Sequence, residues 1–231
     1  MGAWVDIAAL DEMPLFEGLS PEQMSHVQSL LRRKQVPAGA LLMMAEEPGE
    51  VAYLILKGTV KIFTDQTDGT SVVLGLRGPG EIIGEMSLVD QHSRSASVVA
   101  QEECTLLWWD RASFEACLRT MPALSYNLLR MVARRLRLAT AQIQALATLD
   151  LHGRVARQIL ALAEECGVSN QNGTITIPLR LTQSDLAEMV GASRVRVNEV
   201  MVDYKDGRYI AVDRHHHITV LDAAALTRYA Q

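Results

Sequence analysis

Thr182-Gln183-Ser184-Asp185-Leu186-Ala187-Glu188-Met189-Val190-Gly191-Ala192-Ser193-Arg194 is the stretch that decides how the last third of this 231-residue chain folds. Thr182 and Asp185 have the spacing of a capping box: the hydroxyl takes an orphan N–H of the first turn and the carboxylate reaches back. Leu186, Met189 and Val190 then form a helical apolar face. Gly191 stops that helix in a tight turn, because glycine enters the left-handed region without a Cβ clash. Ser193 caps a second helix from Arg194 to about Asp206, with Val197, Val200, Met201 and Tyr204 at its apolar positions. Helix, glycine turn and capped helix make a helix-turn-helix. Beyond it, Tyr209-Ile210-Ala211-Val212 and His217-Ile218-Thr219-Val220-Leu221 alternate as two short strands around Asp213-Arg214-His215-His216, a β-wing.

A second cluster stands upstream. Gly84-Glu85-Met86-Ser87 is followed after a short gap by Arg94-Ser95-Ala96, behind a run of β-type sequence. An arginine, a serine hydroxyl and turn N–H groups can hold a phosphate, because guanidinium offers a planar fork of charge-assisted donors. Glu85 can accept hydrogen bonds from a sugar hydroxyl, which completes a phosphosugar pocket in outline. Taken alone, the cluster also reads as a solvated Arg94 with Glu85 as its surface ion-pair partner, an arrangement worth little.

Between about Val36 and Trp109, short β segments alternate with Gly, Pro and Asp turns. Examples are Tyr53-Leu54-Ile55-Leu56, Val60-Lys61-Ile62-Phe63 and Ser71-Val72-Val73-Leu74, with Thr67-Asp68-Gly69-Thr70 as a hairpin signal and Cys104 in a later strand. Many short strands at regular spacing predict a small barrel or jelly roll. Residues 1–35 read as short helices, one starting at Ser20-Pro21-Glu22 and ending in the basic run Arg32-Arg33-Lys34. Pro122 to Leu149 reads as one long helix. Its Leu129, Val132, Leu136, Ala139, Ile143 and Leu146 recur at alternating three- and four-residue steps. That is the seam of a paired helix, or one wide core face within a monomer. A second stripe, Leu128, Met131, Leu138 and Ala145, is expected to pack on the β segments.

In this order the motifs resemble the catabolite activator protein and fumarate-nitrate-reduction regulator (Crp/Fnr) family of bacterial transcription factors, and the upstream cluster resembles the phosphate-binding cassette of cyclic-nucleotide-binding domains. The resemblance covers nearly the whole chain. Met13-Pro14-Leu15-Phe16-Glu17-Gly18-Leu19-Ser20 is similar to the family's opening segment, and Gly39, Gly49, Gly58 and Gly80 fall where its β-roll turns recur. Ala133-Arg134-Arg135-Leu136 sits in its long helix and Leu149-Asp150 matches its hinge. The implied fold is α+β: a cyclic-nucleotide-binding-like β-roll (jelly roll) with N-terminal helices over residues 1–121, a dimerisation helix and hinge over 122–149, and a winged helix-turn-helix over 150–231. The implied protein is a cytoplasmic homodimer, paired along Leu129, Val132, Leu136, Ala139, Ile143 and Leu146. Such a dimer presents two recognition helices to successive major grooves of a near-palindromic double-stranded DNA site and works with RNA polymerase.

The resemblance also assigns residues. Gly84, Glu85, Met86, Ser87, Arg94 and Ser95 match the cassette, with Glu85 on the ribose 2′-hydroxyl, Arg94 on the cyclic phosphate, Ser95 as a phosphate donor and Gly84 allowing close approach. The family's two purine-contacting hydroxyl positions fall on Ala139 and Thr140, and its base-holding serine on Gly75. Of these only Thr140 keeps a hydroxyl. The implied effector is therefore a 3′,5′-cyclic nucleotide, cyclic AMP or another, with an altered base-reading half. On DNA, Thr182, Gln183 and Ser184 are expected at phosphates, which position without specifying. Ser193 joins them at the cap of the recognition helix. Arg194 matches a guanine-reading arginine. Val195 stands where the prototype has glutamate and Glu199 where it has arginine, with Arg196 and Asn198 as further contacts, so the target sequence is expected to differ.

Composition agrees with this reading. The chain is 48% hydrophobic and 21% charged, ordinary for a globular protein. Its net charge of −5 comes from residues 1–150, with 13 basic and 18 acidic side chains, whereas residues 151–231 carry 9 of each. A neutral DNA-binding module needs its cations clustered, and Arg194, Arg196 and Arg214 are the available cluster. No run approaches a membrane span, and Met1-Gly2-Ala3-Trp4-Val5-Asp6 lacks the pattern of a secretory signal. Cys104, Cys117 and Cys166 are scattered, without metal-ligand spacing, and none lies near the N-terminus where some family members hold an iron–sulfur cluster. Neither metal nor cluster is expected. His215-His216-His217 reads as a wing contacting phosphate or solvent rather than a metal site, because neighbours in a strand point to opposite faces. No nucleophile–base constellation or P-loop stands out, so no enzyme is expected. Two alternatives stay open: the same regulator with a different effector or none, and a module that regulates a partner protein.

Overall fold

The computed structural model describes residues 10–66 and 71–231, so Met1-Gly2-Ala3-Trp4-Val5-Asp6 and Thr67-Asp68-Gly69-Thr70 lie outside the described residues. Contacts divide the chain into two units, Met1–Thr64 with Leu76–Arg134 and Asp65–Gly75 with Arg135–Gln231.

In the first unit, helix α1 (Pro21–Leu30) opens on a full capping box between Ser20 and Gln23. It ends before the basic run. Arg32-Arg33-Lys34, expected to finish a helix, instead belongs to strand β1 (Arg32–Val36), paired antiparallel with β8 (Cys104–Asp110) from Arg32↔Trp108 to Val36↔Cys104. The run sits on a sheet edge, where exposed cations are tolerated and discourage edge-to-edge association. Strands β3 (Val51–Lys57) and β6 (Ile82–Ile83) complete this sheet in the order β1-β8-β3-β6. A second sheet has the order β2-β7-β4, with β2 Leu41–Met43, β7 Ser97–Ala100 and β4 Val60–Asp65, while β5 (Ser71–Arg77) runs across the division between the units at Gly75.

The central strands serve two cores, because successive side chains point to opposite faces. Tyr53, Ile55, Cys104 and Leu106 enter a cluster with Val36, Met43, Val60, Ile83 and Val98 inside the roll. Ala52, Leu54, Leu107 and Trp109 face the other way, onto Leu15, Phe16, Phe114 and Leu124. Three helices close the unit's description: α2 (Met86–Val89), α3 (Arg111–Thr120) and the start of α4 (Pro122–Thr148). Buried Asn127 donates from Nδ2 to the carbonyls of Leu15 (3.1 Å) and Glu17 (2.8 Å), pinning α4 to the segment before α1. Of the second stripe, Leu128 and Met131 pack on this core. Leu138 and Ala145 belong to the other unit, since the boundary lies within α4 after Arg134. Along the seam, Leu129, Leu136 and Ile143 are 63%, 68% and 68% exposed, so this apolar edge is uncovered in a single chain.

In the second unit, Asp150 caps α5 (Leu151–Cys166), accepting from the Gly153 N–H at 2.8 Å. Helices α6 (Gln183–Val190) and α7 (Arg194–Asp206) follow, joined at Gly191 with φ +63°. Strands β11 (Ile210–Val212) and β12 (Ile218–Val220) form the wing. The wing extends into a four-stranded sheet, β11-β12-β10-β9, through β9 (Val168–Ser169) and β10 (Ile175–Ile177), strands too short to show in sequence periodicity. Helix α8 (Ala223–Tyr229) brings Tyr229 against Tyr204, whose hydroxyl donates to the His152 carbonyl at 2.7 Å.

Candidate effector cup and nucleic-acid interface

The cup is built where β6 ends. Gly84 has φ +77°, and a Cβ there would stand 2.6 Å from Arg94 Nη1, so the left-handed turn and the close approach both require glycine. Glu85 follows as the N-cap residue of α2 and is buried, 4% exposed. Arg94, 7% exposed, points back into this turn. Its Nη1 donates to the Gly84 carbonyl and to Ser87 Oγ, each at 2.7 Å, and its Nη2 to the Val51 carbonyl. These acceptors are all neutral. A guanidinium has five N–H groups, so one on Nη2 and the one on Nε take no acceptor among the described residues. Burial holds the Arg94 guanidinium below the ordinary arginine value; Arg111 adds to that, while Tyr53, Glu85 and Glu50 oppose it. The site thus presents a buried cation with carboxylates nearby but none bonded to it.

Two further residues, which no sequence motif marked as functional, complete the cup. In the sequence Gly49 marks only a turn; in the fold a Cβ there would stand 2.7 Å from Ser87 Cβ and 3.4 Å from Arg94 Cζ. Arg111, the first residue of α3, donates to the carbonyls of Gly49 (Nε, 3.1 Å), Ser87 (3.0 Å) and Leu88 (3.4 Å). The only sequence signal for it was an Asp-Arg pair where a strand hands over to a helix.

The remaining expected ligand residues lie outside this hydrogen-bond network. Met86 and Ser95 are exposed beside it. Thr140 is exposed on the part of α4 that belongs to the second unit, and its hydroxyl donates to the Leu136 carbonyl at 2.9 Å.

The capping box expected at Thr182 is present: its N–H donates to Asp185 Oδ2 (3.1 Å) and its hydroxyl accepts from the Asp185 N–H (3.1 Å). Ser193 Oγ accepts from the Arg196 N–H at 3.4 Å, capping α7. Val197, Val200, Met201 and Tyr204 are buried, which leaves Arg194, Val195, Asn198, Glu199 and Val202 exposed on one stripe at helical spacing, with Arg196 on its flank. Val195 is 69% exposed, a large apolar side chain with no core to fill. Gln183 and Ser184 are half-buried at the start of α6, and Gln183 Nε2 donates to Asn198 Oδ1 at 2.6 Å. The wing turn is held by Asp213, whose Oδ1 accepts from the N–H groups of His215 and His217, both at 2.8 Å. Those bonds, the His217 N–H first, hold the Asp213 carboxyl below its ordinary value. Among the described residues no three His, Cys, Asp or Glu side chains gather to hold a metal, and no helix is long and apolar enough to cross a membrane.

Comparisons with known proteins match both regions. Residues 33–121 match the cyclic nucleotide-binding domain and residues 153–229 the Crp-like helix-turn-helix domain. The CRP-like cAMP-activated global transcriptional regulator of Mycobacterium tuberculosis is 31% identical over 217 residues, covering 94% of this chain and 96% of that protein. The chain belongs to the Crp/Fnr family of transcription regulators. The cyclic AMP receptor protein of Thermus thermophilus is 35% identical over 189 residues, 81% of this chain and 83% of the relative. The structure of FixK2 from Bradyrhizobium japonicum shares the fold, with a TM-score of 0.75 at 18% identity over 87% of this chain and 98% of that one. As a Crp/Fnr member, the protein is a DNA-binding transcription regulator, and its family is one of regulators, not enzymes.

Proposed function

We propose that this Crp/Fnr regulator is a cytoplasmic homodimer whose β-roll binds a 3′,5′-cyclic nucleotide and whose winged helices read a near-palindromic DNA site in concert with RNA polymerase. One observation carries the effector reading: among the described residues Arg94 is a buried cation bonded only to neutral acceptors, with two N–H groups unspent. Burying a charge without a bonded counter-ion is costly, and a cyclic phosphate is a monoanion whose two exocyclic oxygens suit two parallel N–H donors. Buried Glu85 stands in the same turn for the ribose hydroxyl. The names of the mycobacterial and Thermus relatives make cyclic AMP the first nucleotide to try. Glu85, Arg94, Ser87 and Gly84 would hold the phosphosugar, with Ser95 and Met86 beside it. Pairing along Leu129, Val132, Leu136, Ala139, Ile143 and Leu146 would bury the seam and relate the two recognition helices by a twofold axis. Signalling then requires the effector to bind one state of the dimer more tightly than the other.

A second reading has its own support. Ala139 and Gly75 stand where hydroxyls would read the base, which favours a different effector, or none, on the same DNA-binding scaffold. Calorimetric titration of the full chain with cyclic AMP and cyclic GMP decides between them: saturable binding is expected, and no binding of either at millimolar concentration removes the nucleotide reading. For the DNA side, Arg194→Ala should weaken retention on a selected site by about 5- to 150-fold, the value of one bidentate base contact. Unchanged retention would remove Arg194 as a base reader and favour a protein-binding role for this surface.

A further inference from the structure

We infer that Arg111 is a positioning residue of the effector cup, fixing the frame in which Arg94 meets the phosphate. This rests on the nucleotide reading of the cup. The observation is that two arginines bridge the same two segments. Arg94 joins the Gly49–Val51 segment to the cassette turn from inside, through the Val51 carbonyl on one side and the Gly84 carbonyl and Ser87 Oγ on the other. Arg111 joins the same segments from outside, through the Gly49 carbonyl on one side and the carbonyls of Ser87 and Leu88 on the other. Its own backbone N–H also donates to the Glu50 carbonyl at 2.9 Å, so the loop is tied to the start of α3 at two consecutive residues.

The division of labour follows from geometry. A phosphate approaching the Nε–H and the second Nη2–H pulls on a guanidinium whose other bonds end on Val51, Gly84 and Ser87. Those acceptors resist only if something else holds their segments in place. Gly49 is two residues from Val51, and Ser87 Oγ and the Ser87 carbonyl belong to one residue, so Arg111 anchors the frame at both ends. The fork matters as much as the charge. A planar guanidinium reaches three carbonyls at once, whereas an ammonium is a point donor on a flexible stem. Glu115, 3.5 Å from Arg111 Nη1 on the next turn of α3, steadies the fork. The second cation near Arg94 also adds to the positive potential that draws in an anion.

The test uses the full-length protein, cyclic AMP, and the two diastereomeric cyclic AMP phosphorothioates, in which sulfur replaces one or the other exocyclic oxygen. A wild-type Arg94 held in one orientation should favour one diastereomer by about tenfold or more, the value of one charge-assisted hydrogen bond. Arg111→Ala should weaken cyclic AMP binding about tenfold and bring the diastereomer ratio toward one. Arg111→Lys, which keeps the charge and the fold but not the fork, should also lose most of the ratio. Variants that melt earlier yet keep the wild-type ratio would reduce Arg111 to a structural brace and overturn the proposal. Wild-type binding without discrimination overturns it too, because Arg94 would then have no fixed orientation to protect. If the wild type binds none of the three nucleotides, the nucleotide reading itself fails, a result distinct from both.

Discussion

Gly84→Ala, compared with alanine at two other glycines, separates backbone strain from damage to the cup. At Gly39, φ is +80° and nothing lies within 4 Å of a new Cβ, so Gly39→Ala carries the conformational penalty alone. That penalty is about 1–2 kcal/mol for an L-residue held in the left-handed region. In a chain of this size it lowers the melting temperature by a few degrees, at about 2–4 °C per kcal/mol. Gly49 has no left-handed φ, but its Cβ would meet Ser87 Cβ at 2.7 Å, so Gly49→Ala carries the contact alone. Gly84→Ala carries both: φ is +77° and the Cβ would stand 2.6 Å from Arg94 Nη1 and 2.9 Å from Met43 Sδ. Nη1 makes two of Arg94's three hydrogen bonds, and a bond to a charged group is worth about 1.5–3 kcal/mol. Urea unfolding and cyclic AMP calorimetry on the three variants give the readout. Gly39→Ala should lose stability and keep wild-type affinity; Gly49→Ala and Gly84→Ala should lose at least about tenfold in affinity, with Gly84→Ala also the less stable of those two. A Gly84→Ala protein that binds nucleotide as tightly as Gly39→Ala would refute the placement of the phosphate at Arg94.

Other expectations test other parts of the molecule. Asp185→Ala removes the carboxylate of a buried capping box and should cost about 1–2 kcal/mol in thermal or urea unfolding; a change within error would mean the Thr182 hydroxyl caps α6 without it. Leu136→Glu with Ile143→Glu places charge on the exposed seam of α4, and sedimentation should show dimer converting to monomer, whereas an unchanged mass would locate the dimer contact elsewhere. Asp213 gives a pH signature. Its folded value is lowered, so the order it lends the wing turn is complete above the ordinary aspartate value near ~3.9 and is lost as pH falls through the lower folded value. The Asp213 carboxyl carbon resonance should therefore move in that acidic window, and a midpoint at or above the ordinary value would contradict the bonds to Asp213.

Where structure is stabilised by neighbours in the chain, the sequence was readable. The Thr182 cap, the Gly191 turn and the Ser193 cap are each set by groups within three or four residues, and all three appear at those positions. The alternate three- and four-residue steps of Leu129 to Leu146 likewise announced a continuous helix with one apolar edge, and that edge is exposed in the single chain. Readability failed where partners are distant. Arg32-Arg33-Lys34 became an edge strand because β8, some seventy residues on, supplied the ladder. Strands β9 and β10 are two and three residues long, below the length at which alternation shows. Leu138 and Ala145 share a helix face with Leu128 and Met131, but periodicity carries no information about which unit a turn of helix will join.

The order of motifs, the caps and the apolar edge of α4 were determined by the sequence itself, since each depends on side-chain type at short spacing, whereas Arg94 and Glu85 stood out through the resemblance of their segment to a family cassette. Only the tertiary structure decided that Arg94 is buried against neutral acceptors, that Gly49 closes over Ser87, and that Arg111 braces both walls of the cup. Those facts depend on carbonyl oxygens, and every residue carries one. No amino-acid type marks which carbonyls will converge, so folding alone chose the three that a distant arginine would find.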